Sequence, residues 1–566
     1  MVLRIGGLAS GLDIDTMVNE LMKAQRTRVV QLEQDKQILQ WKQENYHEVN
    51  KTFANFILNT KSSFGLTTTT STGTLVNMTV NNLDWVKSAS ISDSDVASVT
   101  AYANAVQGSY LINVDRLAEN WTSASQDTIS IGDTGNLSTQ FGLDPADTIN
   151  FTITTNLGSV TVNKTNLDTV SLSTVINEIN NANIGVKAIY DADVDRFFLQ
   201  TTNTGEDNTI EITDSSTLTG GVKFLTGSTN VLKLKYLDAT DTLQDISDGI
   251  TYGGINAQID FGAALNITKS SNTFTLNNIC FTLNSTGSAT VTVATNVAGV
   301  YEKITEFVEA YNEMIETVRS ELTETRYSDY RPLTDEQREK LTDTQIEQWE
   351  TKAKSGLLKN DMLVGNILGT VRSGMYQAVS GVTGLFDELV DIGISTETYS
   401  SGSLGGKLVI DRAKLTAAIE DNVDSVLELF FKQPSEELRT MSESSMTAEQ
   451  ISQKRSESGL INRLYDNLIA GMKQVVYKSG VGDNADLYRN VNSLILIEFV
   501  SQYGSISYLD NDISRLDDRI ELFNERLTII EERYWRQFTA METAISQMNQ
   551  QSAWLAMQFN QNNMSQ

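Results

Sequence analysis

The chain has 566 residues, which corresponds to about four domains at ~150 residues each, so one compact fold is not expected. Its 43 lysines and arginines against 72 aspartates and glutamates give a net charge of -29, which excludes the basic surface that nucleic acid or an anionic membrane requires. One cysteine, Cys280, and one histidine, His47, exclude an internal disulfide and a zinc site with several such ligands.

Hydropathy and proline content constrain the chain further. No apolar run approaches the ~20 residues of a membrane-spanning helix, and the first residues lack the apolar core of a secretory signal. We therefore expect a soluble protein without a membrane span or a cleaved signal peptide. Only three prolines occur, which permits long uninterrupted helices.

The first zone, residues 12–62, is rich in Gln, Glu, Lys and Leu. Its apolar residues Tyr46, Val49, Phe53 and Phe56 are three, four and three residues apart, as on one face of a helix. The spacing predicts one long helix or two.

A second zone, from about residue 61 to 300, is rich in Thr, Ser, Asn and Gly and has the pattern of β structure. Alternating apolar residues at 149–153 and 160–162 flank a glycine-containing turn and predict a hairpin. Residues 168–183 follow the helical period instead. Near the end of the zone, alternation at 274–283 and 291–293 predicts a three-stranded meander.

The third zone returns to helical spacing from about residue 300, where Ile304, Phe307 and Tyr311 begin a face that continues to Leu322. Thr334 with Gln337 and Thr342 with Gln345 form capping-box pairs at two helix starts.

Shorter elements are predicted in the second half of this zone. A strand pair is expected at 391–394 and 407–410. Residues 433–458 contain few bulky apolar groups and are predicted to be a mobile linker. A helix then resumes at Leu460.

The most regular pattern lies near the C-terminus, where apolar residues repeat every three and four positions over four heptads and predict a coiled coil. The alternative is an amphipathic helix that packs on its own domain. The predicted partner-binding seam consists of Ile506, Leu509, Ile513, Leu516, Ile520, Phe523, Leu527 and Ile530.

Candidate catalytic and ligand-binding motifs are incomplete. Asp191, Asp193 and Asp195 have the spacing that opens a calcium-binding loop, but Arg196 stands where glycine is needed, so a charged turn between strands is favoured. His47 lies in a helical pattern and is interpreted as a solvated side chain. We expect no enzyme activity, no metal and no cofactor.

Both chain ends carry motifs that point to a family. Residues 5–16, Ile-Gly-Gly-Leu-Ala-Ser-Gly-Leu-Asp-Ile-Asp-Thr, resemble the N-terminal signature of the bacterial flagellar filament cap, or flagellar hook-associated protein 2, family. Residues 533–542 and 550–555 are similar to that family's terminal helix. The residues taken from these motifs are Leu8, Gly11, Leu12, Asp13, Phe538, Trp554 and Leu555.

The resemblance extends between the ends, through segments 108–118, 167–212, 265–293 and 354–361. It implies an α+β, multi-domain chain in which long terminal helices, the coiled-coil legs, flank an inserted mainly-β head of two domains. The leg residues are Tyr46, Val49, Phe53, Phe56, Ile304, Phe307 and Tyr311.

The predicted domains follow this arrangement along the chain. They are an N-terminal mobile helical segment (1–45), an N-terminal leg helix (46–71), the first half of the inner β head domain (72–125), the outer β head domain with a flagellin-like repeat (126–236), the second half of the inner domain (237–297), a helical leg domain with the strand pair and linker (298–500), and the C-terminal coiled-coil helix (501–566).

The family implies a non-enzymatic cap at the filament tip, outside the cell, under which exported flagellin subunits fold and are inserted. Its implied partners are further copies in a pentameric or hexameric ring, flagellin, the hook–filament junction proteins, and a cytosolic export chaperone on the C-terminal helix. Export through the flagellar type III apparatus agrees with the absence of a signal peptide.

Two other classes share parts of this pattern. Another flagellar axial protein, a flagellin or junction protein, also has terminal helices around a β middle, but its ends lack these motifs. A secreted adhesin or glycan-binding β protein would explain the Thr/Ser/Asn-rich head.

Overall fold

The computed structural model describes residues 11–73, 75–238, 240–397 and 406–563. They belong to two compact units: a helical unit up to Met78 and from Tyr301 onward, and a β unit, Thr79–Val300. The elements are, in chain order, α1 (Ile14–Ser63), β1 (Thr67–Thr69), β2 (Leu75–Asn77), β3 (Lys87–Ile91), β4 (Ala97–Ala101), β5 (Gly108–Arg116), β6 (Thr122–Ser125), α2 (Leu137–Phe141), β7 (Ile149–Thr155), β8 (Gly158–Lys164), α3 (Leu172–Asn181), β9 (Val186–Asp191), β10 (Arg196–Thr201), β11 (Thr209–Asp214), β12 (Leu234–Leu237), β13 (Leu243–Asp245), β14 (Thr251–Gly253), β15 (Ala257–Phe261), β16 (Ala264–Lys269), β17 (Thr273–Leu276), β18 (Ile279–Leu283), β19 (Gly287–Thr295), α4 (Val297–Thr323), α5 (Asp335–Arg338), α6 (Asp343–Lys354), α7 (Met362–Tyr376), β20 (Ile394–Thr396), β21 (Leu408–Ile410), α8 (Arg412–Phe431), α9 (Glu436–Thr440), α10 (Ala448–Glu457), α11 (Leu460–Ser479), α12 (Ala485–Asn492), α13 (Leu494–Tyr503) and α14 (Tyr508–Asn563).

The first core of the β unit is shared by two antiparallel sheets. One has the strand order β16-β15-β5-β19-β3 and the other β17-β18-β4. Because side chains alternate across a strand, Ile112 and Val114 of β5 point to the same side and are buried with Val291 of β19. Ile279 and Phe281 of the smaller sheet complete this core.

The second core of the β unit lies farther along the chain. Its sheets have the orders β13-β12-β6-β10-β9 and β14-β11-β7-β8. Phe151 of β7 stacks on Phe224 with ring centroids 6.0 Å apart, and α3 buries Leu172, Val175 and Ile179 in the same core. Its strands run from Thr122 to Gly253. A single sequence does not reveal that β6 pairs with β12, about 110 residues away.

Most local predictions for the β unit are confirmed. The hairpin is β7–β8, and the predicted helix is α3. The aspartates of the failed calcium motif lie at the turn between β9 and β10, which pair antiparallel. The meander was wrong in its last strand: β17 pairs with β18, but β19 pairs with β5 and β3 in the other sheet. Alternation identifies a strand's buried face but not its neighbour.

Aromatic side chains form much of the core of the helical unit. The ring of Phe307 on α4 lies 6.2 Å from that of Phe56 on α1 and 6.2 Å from that of Phe430 on α8. Phe56 also meets Tyr465 of α11 edge to face. The second half of α1 is thus held by α4 and α11, and α8 packs on α4 behind them.

The predicted zone at 12–62 is one helix, α1. Both predicted capping boxes are present at the starts of α5 and α6, and α11 begins at Leu460. The strand pair is β20 with β21, slightly displaced from the predicted bounds.

The prediction of a mobile linker at 433–458 in place of folded elements was wrong, because α9 and α10 lie there. Thr447 and Gln450 form a capping box that starts α10. Glu443 accepts hydrogen bonds from Lys454 and Arg455, so charged groups supply contacts that the apolar composition did not predict.

Candidate functional site: the paired terminal helices

Helix α1 begins at a capped turn that the N-terminal motif provides. The Asp13 carboxylate accepts a hydrogen bond from the Thr16 backbone N–H at 3.0 Å and another from the Thr16 hydroxyl at 2.6 Å. These bonds lower the pKa of Asp13, as expected for a carboxylate that satisfies free N–H groups at a helix start. Gly11, just before this turn, has a φ of +73°, a conformation that glycine adopts without strain.

Helix α14 begins with a similar cap and runs antiparallel to α1. Ser507 and Asp510 hydrogen-bond reciprocally at its start, and Gln43 of α1 donates to Asp510 at 2.8 Å. Burial raises the pKa of Asp510, but these hydrogen bonds outweigh it and hold the pKa below its usual value. Farther along, Lys36 pairs with Asp517 at 2.6 Å.

The pairing continues to the beginning of α1. The Arg28 guanidinium lies over the Phe523 ring, 4.7 Å from its centroid. At the end of the contact, Ile14, Val18 and Met22 are buried, and a group of partly buried apolar residues of α14 packs against them. That group consists of Leu527, Ile530, Tyr534, Trp535 and Phe538.

A single partner covers the heptad seam only in part. Leu509 is buried, Ile506 precedes α14 and is exposed, and the other predicted seam residues are half-buried. Half-burial fits a two-helix arrangement, in which one neighbour covers one side of each seam residue.

A second apolar stripe on α14 is uncovered. Leu522 and Ile529 are seven residues apart, hence on one face of the helix, and are 46% and 63% exposed. Near the end of the helix, Trp554, Leu555 and Met557 are also exposed. Exposed apolar groups grouped in this way mark surfaces that bind a partner.

The far half of α1 is anchored in the helical unit. The Tyr46 hydroxyl donates to the Asp361 carboxylate at 2.6 Å, and burial together with this bond raises the pKa of Tyr46. Asp361 also accepts from the backbone N–H groups of Leu363 and Val364 at the start of α7. Thr60 hydrogen-bonds to Tyr465 at 2.7 Å. The first half of α1 therefore extends from a fixed base.

Metal-binding side chains are not clustered in the part of the chain that the structure describes. No cluster of three or more His, Cys, Asp or Glu side chains in these residues could hold a metal ion. Within the same residues, no helix is long and apolar enough to cross a membrane. His47 bonds to the Ser479 carbonyl oxygen at 3.0 Å, and Cys280 lies in β18.

Two family models match the chain. The flagellar hook-associated protein 2 N-terminus matches residues 10–120, and the flagellar hook-associated protein 2 C-terminus matches residues 254–550. The flagellar hook-associated protein 2 of Halalkalibacterium halodurans is 32% identical over 97% of this chain and 98% of its own length. The chain belongs to the flagellar hook-associated protein 2 family.

Further relatives carry the same name. The flagellar hook-associated protein 2 of Salmonella typhimurium is 26% identical over 69% of this chain and 66% of its own length. The flagellar cap protein FliD D1-D2-D3 domains of Escherichia coli align with 77% of this chain and 97% of theirs, at 19% identity and a TM-score of 0.47. The predicted filament-cap family is confirmed, and neither a flagellin nor an adhesin is favoured.

The hook-associated protein 2 motifs fall in different surroundings. Asp13 caps α1 and Phe538 packs in the terminal cluster, whereas Leu12, Trp554 and Leu555 are exposed. Leu8 lies outside the described residues. The leg residues are all buried: Tyr46, Val49, Phe53, Phe56, Ile304, Phe307 and Tyr311.

Sequence reasoning missed the partner of the seam in this hook-associated protein 2. Ile14, Val18 and Met22 are four residues apart, so their shared helical face was readable. Trp535, which packs against them, follows Tyr534, the position four residues after Ile530, and so falls outside the heptad spacing. The exposed Leu522 and Ile529 were also readable as a second stripe, seven residues apart.

Proposed function

We propose that the chain is a non-enzymatic cap at the distal end of the flagellar filament, where copies form a ring that promotes the folding and insertion of exported flagellin. The observation that carries this proposal is the uncovered stripe of α14, Leu522 and Ile529, beside a seam that α1 covers in part. Apolar groups of this kind are buried when a further helix packs against the pair.

The proposed partners follow from this surface. Further copies of the chain, as a pentamer or hexamer, and flagellin subunits are candidates for the uncovered stripe. Junction proteins of the hook and filament are proposed as neighbours when the cap is first placed. A cytosolic chaperone is proposed to cover the end of α14, where Trp554 and Leu555 are exposed, before export.

The predicted domain division and seam remain part of the proposal. In it, the terminal helices are legs and residues 72–297 form the head. The seam residues act in assembly through the α1–α14 pair, which the partly exposed side chains from Ile513 to Ile530 support.

Electron microscopy of filament ends tests the proposal. Cells that lack this chain should show no terminal plate and should release flagellin into the medium; cells that carry it should show the plate. Ile529→Asp should reduce plate formation and motility because it places a carboxylate in the surface to be buried. Thr528→Asp adds the same charge at a neighbouring exposed residue of α14 and is the matched control.

Two results would contradict the proposal. Filament ends with an unchanged plate after deletion of the chain would exclude the cap function. Equal effects of Ile529→Asp and Thr528→Asp would mean that charge on α14 matters and that the apolar stripe does not.

A further inference from the structure

The uncovered stripe of α14 lies between two rows of opposite charge. The stripe consists of Leu522 and Ile529, and the residues three before and four after each of them are arginines. The residues four before and three after each of them are acidic. Because residues three and four apart are neighbours on a helix surface, one side of the stripe is basic and the other is acidic. The basic row is Arg519, Arg526 and Arg533, and the acidic row is Asp518, Glu525 and Glu532, all exposed.

Helix α1 lies on a different side of α14 from these rows. Its Lys36 pairs with Asp517 at 2.6 Å, and its buried apolar residues contact Trp535. At 3.6 residues per turn, Asp517 and Trp535 both lie roughly 120° around the helix from Ile529. The stripe and its two charged rows therefore form an outer face of α14 that the α1–α14 pair leaves uncovered.

The charges of this outer face are not neutralised within the molecule. Among the described residues, none of the side chains in the two rows forms an ion pair. Adjacent residues such as Glu525 and Arg526 do not face each other on a helix, and the stripe separates the two rows. The Arg526 guanidinium lies over the Phe523 ring, 5.6 Å from its centroid, which leaves its N–H groups without a carboxylate.

Charged rows beside an apolar stripe select the direction of a partner helix. If two copies of α14 packed antiparallel through this face, each row would meet the same row of the other copy, and like charges would oppose each other. If the two copies run parallel, the basic row of each meets the acidic row of the other. Because both rows and the stripe repeat every seven residues, the match is complete when the copies are in register.

The outer face is thus complementary to itself. A second α14 supplies Leu522 and Ile529 against the stripe, a carboxylate row against the arginines and an arginine row against the carboxylates. A partner helix of one charge sign would match one row and repel the other. This pattern identifies another copy of α14 as the occupant.

We propose that α14 of one copy packs parallel to, and in register with, α14 of a second copy through the outer face. Leu522 and Ile529 of the two copies bury each other, and Arg526 of each copy pairs with Glu525 of the other. The inference rests on the proposed ring. It adds the partner, the direction and the register of the helix that covers the uncovered stripe.

Cysteine cross-linking tests the direction and the register. Ile529→Cys is made in the full-length Cys280→Ser chain, so that the new thiol is the only one. In parallel copies in register, position 529 lies opposite itself, and oxidation should join two chains there. Thr528→Cys in the same background, at an exposed residue outside the stripe, is the matched control and should give about tenfold less dimer. Filaments from cells that carry each variant are oxidised and analysed on non-reducing gels.

Charge exchange tests whether the partner is another α14. Adding Arg526→Glu to the Ile529→Cys chain places position 526 of each copy against Glu525 of the other, which should lower the dimer yield about tenfold. Adding Glu525→Arg as well exchanges the two charges, so that the rows of two copies match again and the yield should recover. A different partner keeps its own charges, and the exchange would not restore its binding. Hydrogen exchange at Val18 should be unchanged in both variants, because α1 lies on the other side.

A mixture of chains carrying Leu522→Cys and Ile529→Cys distinguishes the two directions. Parallel copies should give disulfides between equal positions, whereas antiparallel copies would give only the product that joins position 522 to position 529. The antiparallel product, or equal dimer yields from Ile529→Cys and Thr528→Cys, overturns the proposed packing. A dimer yield that stays low after the charge exchange overturns the second copy as the occupant.

The same experiments separate this contact from the cap function. If the terminal plate forms but the disulfide at position 529 does not, the cap proposal stands and this contact alone fails. If no plate forms with the unmodified chain, the cap proposal fails first.

Discussion

The Arg463 guanidinium donates a hydrogen bond to the carbonyl oxygen of Gly374 at 2.9 Å, across 89 residues of chain. Arg463 is fully buried. Its other acceptors are also backbone carbonyl oxygens, those of Gln377, Ala378, Arg455, Ser456 and Ser458. Because these carbonyls lie at or just beyond the ends of α7 and α10, one cation caps the C-termini of two helices.

Removing this cation should destabilise the helical unit strongly. Arg463→Met leaves several buried carbonyl groups without a donor, and we expect the free energy of unfolding to fall by about 3–5 kcal/mol. Arg439→Met, at an exposed arginine of α9, is the control and should change it by less than about 0.5 kcal/mol. Urea denaturation followed by circular dichroism measures both. Equal effects would mean that Arg463 is not the link between the two helices.

Glu443 makes stability depend on acid. Burial raises its pKa, but hydrogen bonds from Arg455 and Lys454 outweigh burial and lower the pKa to about 2. An acid with a lowered folded-state pKa stabilises the fold above its unfolded pKa of ~4.5, and this stability is lost as the pH falls towards 2. Glu443→Gln should therefore cost about 2 kcal/mol at pH 7 and almost nothing at pH 2.

Denaturation of the two proteins at pH 7, 4 and 2 checks this dependence. Glu436→Gln, at an exposed glutamate of α9, should follow the wild-type curve at all three pH values. A constant difference between wild type and Glu443→Gln from pH 7 to pH 2 would contradict the ion-pair account.

Glu443 also lies in a segment whose structure was predicted wrongly from the sequence. Few bulky apolar residues lie between 433 and 458, so the apolar pattern predicted a linker there. The segment is held instead by charges whose partners, such as Asp466 for Arg455, lie on another helix. Partners of that kind are set by tertiary packing, and the spacing of one sequence does not encode them.

Substitutions on the two faces of α14 should have different effects. Leu527→Asp places a carboxylate against the cluster around Val18 and should loosen the helix pair by several kcal/mol. Hydrogen exchange at Val18 and Met22 should then become faster. Leu522→Asp, on the exposed face, should leave that exchange unchanged and should impair assembly alone. Slow exchange at Val18 in Leu527→Asp would exclude the pairing.

The β unit should fold when it is excised as Thr79–Val300, because it contains two complete cores. Phe281 is fully buried between Phe261 and Phe274, so Phe281→Ala should lower the free energy of unfolding of this segment by about 3–5 kcal/mol. Leu111→Ala, at an exposed strand residue, should cost less than about 0.5 kcal/mol. Urea denaturation measures both, and a disordered segment would contradict the expectation.

Periodicity predicted several of the helices and strands that bury one face. The heptads from Leu509 to Ile530 identified a helix in need of a partner, and the alternation at Phe151 and Ile153 identified a buried strand face. It did not identify which neighbour covers that face. The partner of the heptad seam is α1, and the contact of Lys36 with Asp517 spans 481 residues. Contacts at such separation depend on the whole fold.

The separation of 481 residues between Lys36 and Asp517 bears on the order in which the parts of the chain fold. The contact of Lys36 with Asp517 closes a loop that contains almost the entire chain. The conformational entropy lost on closing this loop is smallest when the segments inside it have already folded into compact units. Closure entropy also grows only with the logarithm of loop length, and removing the whole β unit would change it by roughly 0.5 kcal/mol. The segment between the two helices can therefore lengthen or shorten greatly during evolution with little effect on whether the chain ends meet.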